Sequence, residues 1–261
     1  MKLVDSARKA TFSGPIAEWE KTSGVKVNLV GKDFGTMRDA LKVAVPAGTG
    51  PDIALGIPHD WMGNLVAAAV LKTINLSATT SASLTPASIG IFQSGGKQYG
   101  VPFYTENVAL VRNLKVAPKA PATGADIKNG ELQVGTYGST SGDPYHFYAI
   151  QSSFGAPVFD FTSKGWSSSV AMSGPAGEKF ATYLATKGQK FFGPANASWN
   201  DVVCKLRNGK IKYWLTGPWA ISSIEGGNSS CTGTKKINKD FAVSAIPSFG
   251  GQTAQQFLGG K

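Results

Sequence analysis

The sequence predicts an α/β protein made of two units, each organised as strands and helices around a largely parallel sheet. Three observations predict it. Between residues 2 and 70, short runs suited to strands are interleaved with segments that carry apolar residues at helical spacing. A Pro, Ala and Gly-rich stretch, Val116 to Gly124, separates this series from a second one that runs to about residue 246. The chain has 261 residues, 42% hydrophobic and 16% charged, which is enough apolar material for real cores and too much for a disordered chain.

The elements follow in order. Lys2–Val4 is a short strand. Pro15 to Thr22 reads as a helix, because Pro suits a first turn, Ile16, Trp19 and Glu20 give it an amphipathic face, and Gly24 ends it. Val25–Val30 alternates as a strand. Thr36 caps a second helix, with Asp39 three residues on in a capping-box arrangement. Met37, Leu41 and Ala44 supply its stripe, and Pro46 and Gly48 end it. Pro51–Leu55 is a third strand, and a helix runs from Asp60 through Leu65 and Val66 to about Val70. Gln98–Val101 and Val108–Arg112 read as strands around Pro102 and Glu106, so the two units meet near residues 105–110. The second unit begins with a strand at Leu132–Tyr137. Helices follow from Tyr145, from Gly174 to Thr186 with Ser173 as cap, and over Ala197–Asn208. Ile211–Leu215 is a strand, Pro218 opens a short helix, and Phe241–Ile246 is again a strand. The last residues, Phe257 to Lys261, carry no helix or cap and read as cut rather than finished.

Composition narrows the function classes. The longest apolar run, Leu65 to Leu71, falls well short of the ~18–20 residues a membrane helix needs. The start of the chain passes straight into Asp5, Ser6 and Arg8, with none of the apolar core of a signal peptide; a cytosolic protein and an exported one whose signal has been removed both fit, and the second is preferred. The net charge is +10, which raises nucleic acid as a partner, but the basic residues are scattered and the densest group, Lys235, Lys236 and Lys239, lacks interleaved aromatics and reads as a solvated loop. Cys204 and Cys231 are the two cysteines, at no zinc-like spacing; they are either one disulfide or two buried thiols.

Catalytic patterns are scarce. The histidines are His59 and His146, and both read as structural or ligand-facing. No G-x-S-x-G elbow is present. Gly174-Pro175-Ala176-Gly177-Glu178-Lys179 has the wrong spacing for a phosphate loop, and Phe180 follows the Lys in place of Ser or Thr. Asp60, Glu106 and Asp143 are candidates for a carboxylate pair without a known separation. What stands out is a set of aromatic and acidic residues at element ends: Asp60-Trp61, Tyr104 with Glu106, Asp143 with Tyr145, and Trp219 after Thr216-Gly217-Pro218. Aromatic faces stack on pyranose rings and carboxylates accept from hydroxyls, so this set suits a sugar; as single residues the same aromatics suit a core.

Five motifs in order carry a resemblance: Trp19-Glu20-Lys21-Thr22-Ser23-Gly24-Val25-Lys26-Val27, Gly48-Thr49-Gly50-Pro51-Asp52-Ile53, Tyr99-Gly100-Val101-Pro102-Phe103, Asn208-Gly209-Lys210 with Thr216-Gly217-Pro218-Trp219, and Val243-Ser244-Ala245-Ile246-Pro247. Over nearly the whole chain they resemble the maltose/maltodextrin-binding type of extracellular solute-binding protein of bacterial ABC sugar importers. The resemblance implies a two-lobed periplasmic-binding-protein-like fold with a ligand cleft between lobes joined by crossover strands: residues 1–107 in lobe 1, 108–257 in lobe 2, and 258–261 starting a return crossover whose continuation is absent. It implies ligand contacts at Asp5, Ser6, Arg8, Asp60, Trp61, Tyr104 and Glu106 in the first lobe, and at Asp143, Tyr145 and Trp219 in the second. It implies a periplasmic or extracellular monomer that binds a carbohydrate and hands it to a membrane permease by hinge closure, without cofactor, metal, catalysis or nucleic acid. Trp61 departs from the family pattern, which places Arg after the Asp, and exchanges a hydrogen-bonding fork for a stacking surface.

Overall fold

The computed structural model describes residues 2–5, 9–135, 143–162, 165–226, 231, 237 and 239–261. The chain divides into two compact units: Met1–Glu106 with Leu258–Lys261, and Asn107–Phe257.

The first unit begins β1 (Lys2–Asp5), α1 (Lys9–Ser23), β2 (Leu29–Lys32), α2 (Phe34–Ala44) and β3 (Ile53–Leu55). Its strands form a parallel sheet in the order β2-β1-β3, as repeated strand–helix–strand units dictate. Helix α1 starts ahead of the expected Pro15, which lies inside it. That costs the backbone bond to the Thr11 carbonyl, and Thr11 is exposed, so solvent can serve the carbonyl instead. Gly24, at φ 71°, ends α1 and returns its N–H to the Glu20 carbonyl. The strand expected from Val25 starts only at Leu29, because the Val27 N–H goes to Glu20 Oε1 at 2.6 Å and not to a neighbouring strand. Helix α2 starts at Phe34, ahead of Thr36; Thr36 sits within the first turn and donates its hydroxyl to the Asp33 carbonyl, so it is no cap. Met37 and Leu41 are buried as expected and pack with Ile57 and Leu65.

The helix expected over residues 60–70 is shorter: a 3-10 turn at His59–Trp61 leads into α3 (Met62–Ala67), and Ala69 at φ 54° breaks the periodicity. Two helical turns follow that have no apolar stripe to announce them, α4 (Ala78–Ala82) and α5 (Pro86–Gly90). Each is fixed by a cap: Ser77 Oγ accepts from the Thr80 N–H, and Thr85 Oγ1 accepts from the Ser88 N–H. The expected strand over residues 98–101 contracts into one arm of a hairpin, β4 (Gln93–Ser94) and β5 (Lys97–Gln98), because Gly95 and Gly96 both turn at positive φ. Strand β6 (Thr105–Glu106) closes this part of the unit.

The second unit contains β7 (Ala109–Asn113), β8 (Leu132–Val134), α6 (Pro144–Ser152), the hairpin β9 (Phe159–Thr162) and β10 (Gly165–Val170), α7 (Pro175–Phe192), α8 (Trp199–Arg207), β11 (Tyr213–Thr216), α9 (Ile221–Glu225) and β12 (Phe241–Ser244). The β9–β10 hairpin had no counterpart in the sequence reading, and the expected strand residue Tyr137 lies outside the described residues. Its sheet runs β12-β7-β11-β8, and only β11 with β8 is parallel. This corrects the expectation of a largely parallel sheet: strand periodicity fixes which residues face inward, not which way a neighbour runs. β8 and β11 are buried at every residue, so successive side chains feed two cores. Leu132, Val134, Tyr213 and Leu215 join Ile150, Phe180, Phe191 and Phe192 of α6 and α7 on one face. Trp214 joins Val202, Val203, Leu206 and Ile224 of α8 and α9 on the other.

Caps again shift the expected limits. Ser173 donates to the Val170 carbonyl, and α7 begins after Gly174. Ser198 Oγ accepts from the Asp201 N–H and starts α8. Cys204 and Cys231 form a disulfide, with Cα atoms 5.4 Å apart. Finally β13 (Gly259–Gly260) pairs antiparallel with β6, Gly259 opposite Glu106 and Gly260 opposite Thr105.

Candidate functional site

In the first unit, side chains from three segments collect around two aromatic residues of the sequence reading. Trp61 sits at the end of the turn before α3, tilted 33° against Phe34 with centroids 5.0 Å apart. Phe34 and Arg38 are one helical turn apart on α2, and the Arg38 guanidinium lies 5.7 Å from the Trp61 ring centroid. Tyr104 packs edge-on to Phe103, which in turn meets Phe12. Lys261 brings its ammonium 5.1 Å from the Phe34 ring and 6.0 Å from Tyr104. Glu106 Oε1 is 3.5 Å from Lys261 Nζ, and both side chains are only 8% exposed. Asp60 is exposed.

His59 accepts the Gly260 N–H at its Nδ1, 3.3 Å away, which favours the neutral ring. Burial holds its pKa below the ordinary 6.5, against the opposing pull of Asp60 and Glu106. Asp5 ends β1 opposite Lys32, while its side chain, Ser6 and Arg8 lie outside the described residues.

In the second unit, the carboxyl end of β8 comes against the start of α6: a Cβ on Gly135, the residue after β8, would overlap the Asp143 carboxylate. Asp143 caps α6: its Oδ1 accepts the His146 N–H at 3.3 Å, and its Oδ2 lies 2.5 Å from His146 Nδ1. Tyr145 is stacked at 23° on Phe257, with centroids 5.9 Å apart, and sits 6.3 Å from Trp219. Tyr148 stacks on Phe257 at 3.8 Å and 12°. Trp219 follows β11 in a 3-10 turn, its ring lying so close over Gly217 that a Cβ there would overlap it. Tyr145, Tyr148, Trp219 and Phe257 are each partly exposed and make one connected group of rings.

The structure thus brings Trp61, Tyr104 and Glu106 into one neighbourhood and Asp143, Tyr145 and Trp219 into another. Sequence reasoning missed Phe34, Arg38 and Lys261 in the first, and Tyr148 and Phe257 as companions in the second, where His146, read as structural or ligand-facing, lies beside Tyr145 and Trp219. The spacing of Phe34 and Arg38 on one helical face, and of Tyr145 and Tyr148, was a usable signal. For Phe257 and Lys261, far along the chain, there was none. Among the described residues no group of His, Cys, Asp and Glu could hold a metal.

Comparison with known proteins bears on this arrangement. A family model described as bacterial extracellular solute-binding protein matches residues 16–261. The maltotriose-binding protein of Pyrococcus abyssi is 26% identical over an alignment 238 positions long, which covers 85% of this chain and 47% of that protein. The galactooligosaccharide-binding protein of Bacillus subtilis is 25% identical over an alignment 261 positions long, which covers 93% of this chain and 61% of that one. The chain therefore spans about half to three-fifths of the length of these curated relatives. Among solved structures, the maltotriose-binding protein of Thermus thermophilus bound with maltotriose superimposes with a TM-score of 0.80 at 23% identity, over 100% of this chain and 70% of that one. The maltose-maltodextrin binding protein of Alicyclobacillus acidocaldarius gives 0.80 at 22%, again over 100% and 70%. The likeness shows a shared fold.

Proposed function

The chain belongs to the bacterial extracellular solute-binding proteins, and on that premise we propose that it captures an oligosaccharide outside the cytoplasm and delivers it to the permease of an ABC importer. The observation that carries the sugar reading is the connected group of Tyr145, Tyr148, Trp219 and Phe257, four partly exposed aromatic residues drawn from α6, the turn after β11 and the segment before β13. Rings held partly open to solvent offer the apolar face of a pyranose dispersion and CH–π contact that water does not match. The names of the relatives, which bind maltotriose and galactooligosaccharide, support the same class of ligand.

In this reading Trp219 and Tyr145 are the platforms of the second unit, and Trp61 and Tyr104 those of the first. Asp60, the exposed carboxylate, accepts from sugar hydroxyls. Asp5, Ser6 and Arg8 complete the first-unit set. Glu106 acts beside Lys261, its buried partner. Sugar contacts made by both units favour a closed arrangement over an open one, and release follows when a permease reverses that preference. The protein works as a monomer, needs no cofactor and leaves its ligand chemically unchanged.

Tryptophan fluorescence titrated with maltose, maltotriose, trehalose, glucose, a galactooligosaccharide and sulfate tests this. The expected result is a saturable shift with an oligosaccharide that Trp219→Ala weakens by about tenfold or more, roughly 1.4 kcal/mol. A response to sulfate alone, or an unchanged sugar affinity in Trp219→Ala, would overturn the assignment.

A further inference from the structure

The chain passes between the units twice, at Glu106–Asn107 and at Phe257–Leu258. On the side of the first unit the two passages are joined as β6 and β13, and the Lys261 carbonyl accepts the Phe103 and Tyr104 N–H groups. On the side of the second unit, residues 249–257 run along α6 from its end towards its start and are fastened at three places. The buried Ser153 hydroxyl, just past the end of α6, accepts the N–H groups of Phe249 and Gly250, and the Ser153 carbonyl accepts that of Gln252. Only a glycine suits residue 250, where a Cβ would overlap Phe154 and the Ser153 carbonyl. Ser152 Oγ accepts the Gln255 N–H at 2.8 Å. Phe257 then stacks on Tyr148, with centroids 3.8 Å apart and planes at 12°, and lies 5.9 Å from Tyr145 at 23°. Beside it, Asn107 Nδ2 donates to Gln256 Oε1 at 2.9 Å, so the two passages are linked on this side as well.

We propose that Phe257 is a positioning residue that ties α6, the helix carrying the Tyr145 platform, to the second passage between the units. The proposal rests on the sugar-receptor reading for its consequence in binding, and on the geometry within the second unit for the fastening itself. Tyr145 and Tyr148 are one helical turn apart, so both face the same stretch of chain. At a centroid distance of 3.8 Å, Phe257 and Tyr148 each give a face to the other, and those faces are closed to a sugar. Phe257 is therefore a support, and Tyr145 the platform. Ser152 and Ser153 hold residues 249–255 through backbone groups, whereas the last step before Leu258 is held by the Phe257 ring and the exposed Asn107–Gln256 bond. A bond between exposed amides competes with water, so the ring stack is the firmer of the two. A sugar that steadies Tyr145 steadies Phe257 through the contact of their rings, and with it the strand that enters β13. Because such coupling is reciprocal, loosening Phe257 weakens the hold on the sugar.

The test reads amide hydrogen exchange at Gln255, whose N–H is bonded to Ser152 Oγ two residues from the ring. Phe257→Leu keeps an apolar side chain and removes the stack. Phe257→Tyr keeps the stack, and Tyr148→Leu removes it from the other side. Far-ultraviolet circular dichroism checks that every variant is folded. Phe257→Leu and Tyr148→Leu should each speed exchange at Gln255 by about fivefold, while Phe257→Tyr leaves it within about twofold of the parent. Maltotriose should slow exchange at Gln255 in the parent and no longer do so in Phe257→Leu, which should bind it about fivefold more weakly. A Gln255 rate that neither leucine variant changes overturns the proposal. So does a Gln255 rate that bound maltotriose leaves unchanged in the parent. Weaker maltotriose binding by Phe257→Leu with the Gln255 rate at its parent value also overturns it, and would make the ring a direct sugar contact. The two readings fail separately: a parent protein that responds to no sugar defeats the receptor reading, and the exchange rates without sugar still decide the fastening.

Discussion

The two units solve the same problem, how to hold aromatic rings ready, with unequal means. In the first, Trp61 leans on Phe34 and Arg38 of α2, and Lys261 reaches over Phe34 and Tyr104. These are cations on flexible stems laid over rings. Beneath them is a small core of Met37, Leu41, Ile57 and Leu65, while α1 buries none of its residues and leaves Trp19 47% exposed. In the second unit, Trp219 is wedged between a glycine and a buried imidazole, over a sheet packed on both faces and tied by a disulfide. The difference teaches that an aromatic platform is only as fixed as the layer under it. If the protein is the sugar receptor proposed above, the second unit should behave as its preorganised half, and the first as its adaptable half.

That comparison can be broken or sharpened by measurements of decreasing expected effect. Phe191, 1% exposed in the core of the second unit, should cost about 3–5 kcal/mol on truncation to Ala, seen as a large drop in denaturation midpoint. Replacing Cys204 and Cys231 by Ser opens a closure with a sequence separation of 27, and should cost roughly 3 kcal/mol in urea unfolding; a loss near zero would mean that packing alone holds that part of the unit. Gly217→Ala should displace the Trp219 ring and weaken oligosaccharide affinity by about tenfold with the melting temperature little changed.

His59 supplies a pH test for the first unit. Its folded pKa is depressed by burial, so between 6.5 and that lower value the unfolded chain binds the proton more readily. The contribution of the neutral ring is thus present above 6.5 and is lost as the pH falls below it. His59→Gln should flatten this part of the stability profile. Trp19→Ala, at an exposed position, should change stability by no more than about 0.5 kcal/mol. A larger loss would show that α1 has a covered face.

The sequence disclosed the helices that bury a stripe and the strands that bury both faces. Met37 and Leu41 in α2, and Tyr213 to Leu215 in β11, are apolar because they are interior, and their spacing says so. It was less informative where a single hydrogen bond decides. The Glu20 carboxylate intercepts the Val27 N–H and delays β2, and the hydroxyls of Ser77 and Thr85 create turns that have no apolar pattern. Strand direction in the second sheet was also out of reach, because antiparallel β7 and parallel β8 show the same buried residues on either side of β11. For the sites, chemistry was legible and company was not. An Asp two residues before a Tyr at a helix start announces a cap and a ring, but nothing local says that His146 will lie beside the carboxylate, or that Phe257, more than a hundred residues on, will stack beneath Tyr145.

The disulfide has a consequence for how the molecule comes apart. Cys204 lies on α8 and Cys231 beyond α9, so the span they close contains β11, the turn that carries Trp219, and α9. A protease that cuts once anywhere inside that span leaves the two fragments joined by the sulfur bridge. On a gel without reductant such a nicked molecule migrates near its intact mass, and it separates into two bands only when a thiol is added. The segment that carries Trp219 can therefore be severed in sequence without being lost from the molecule.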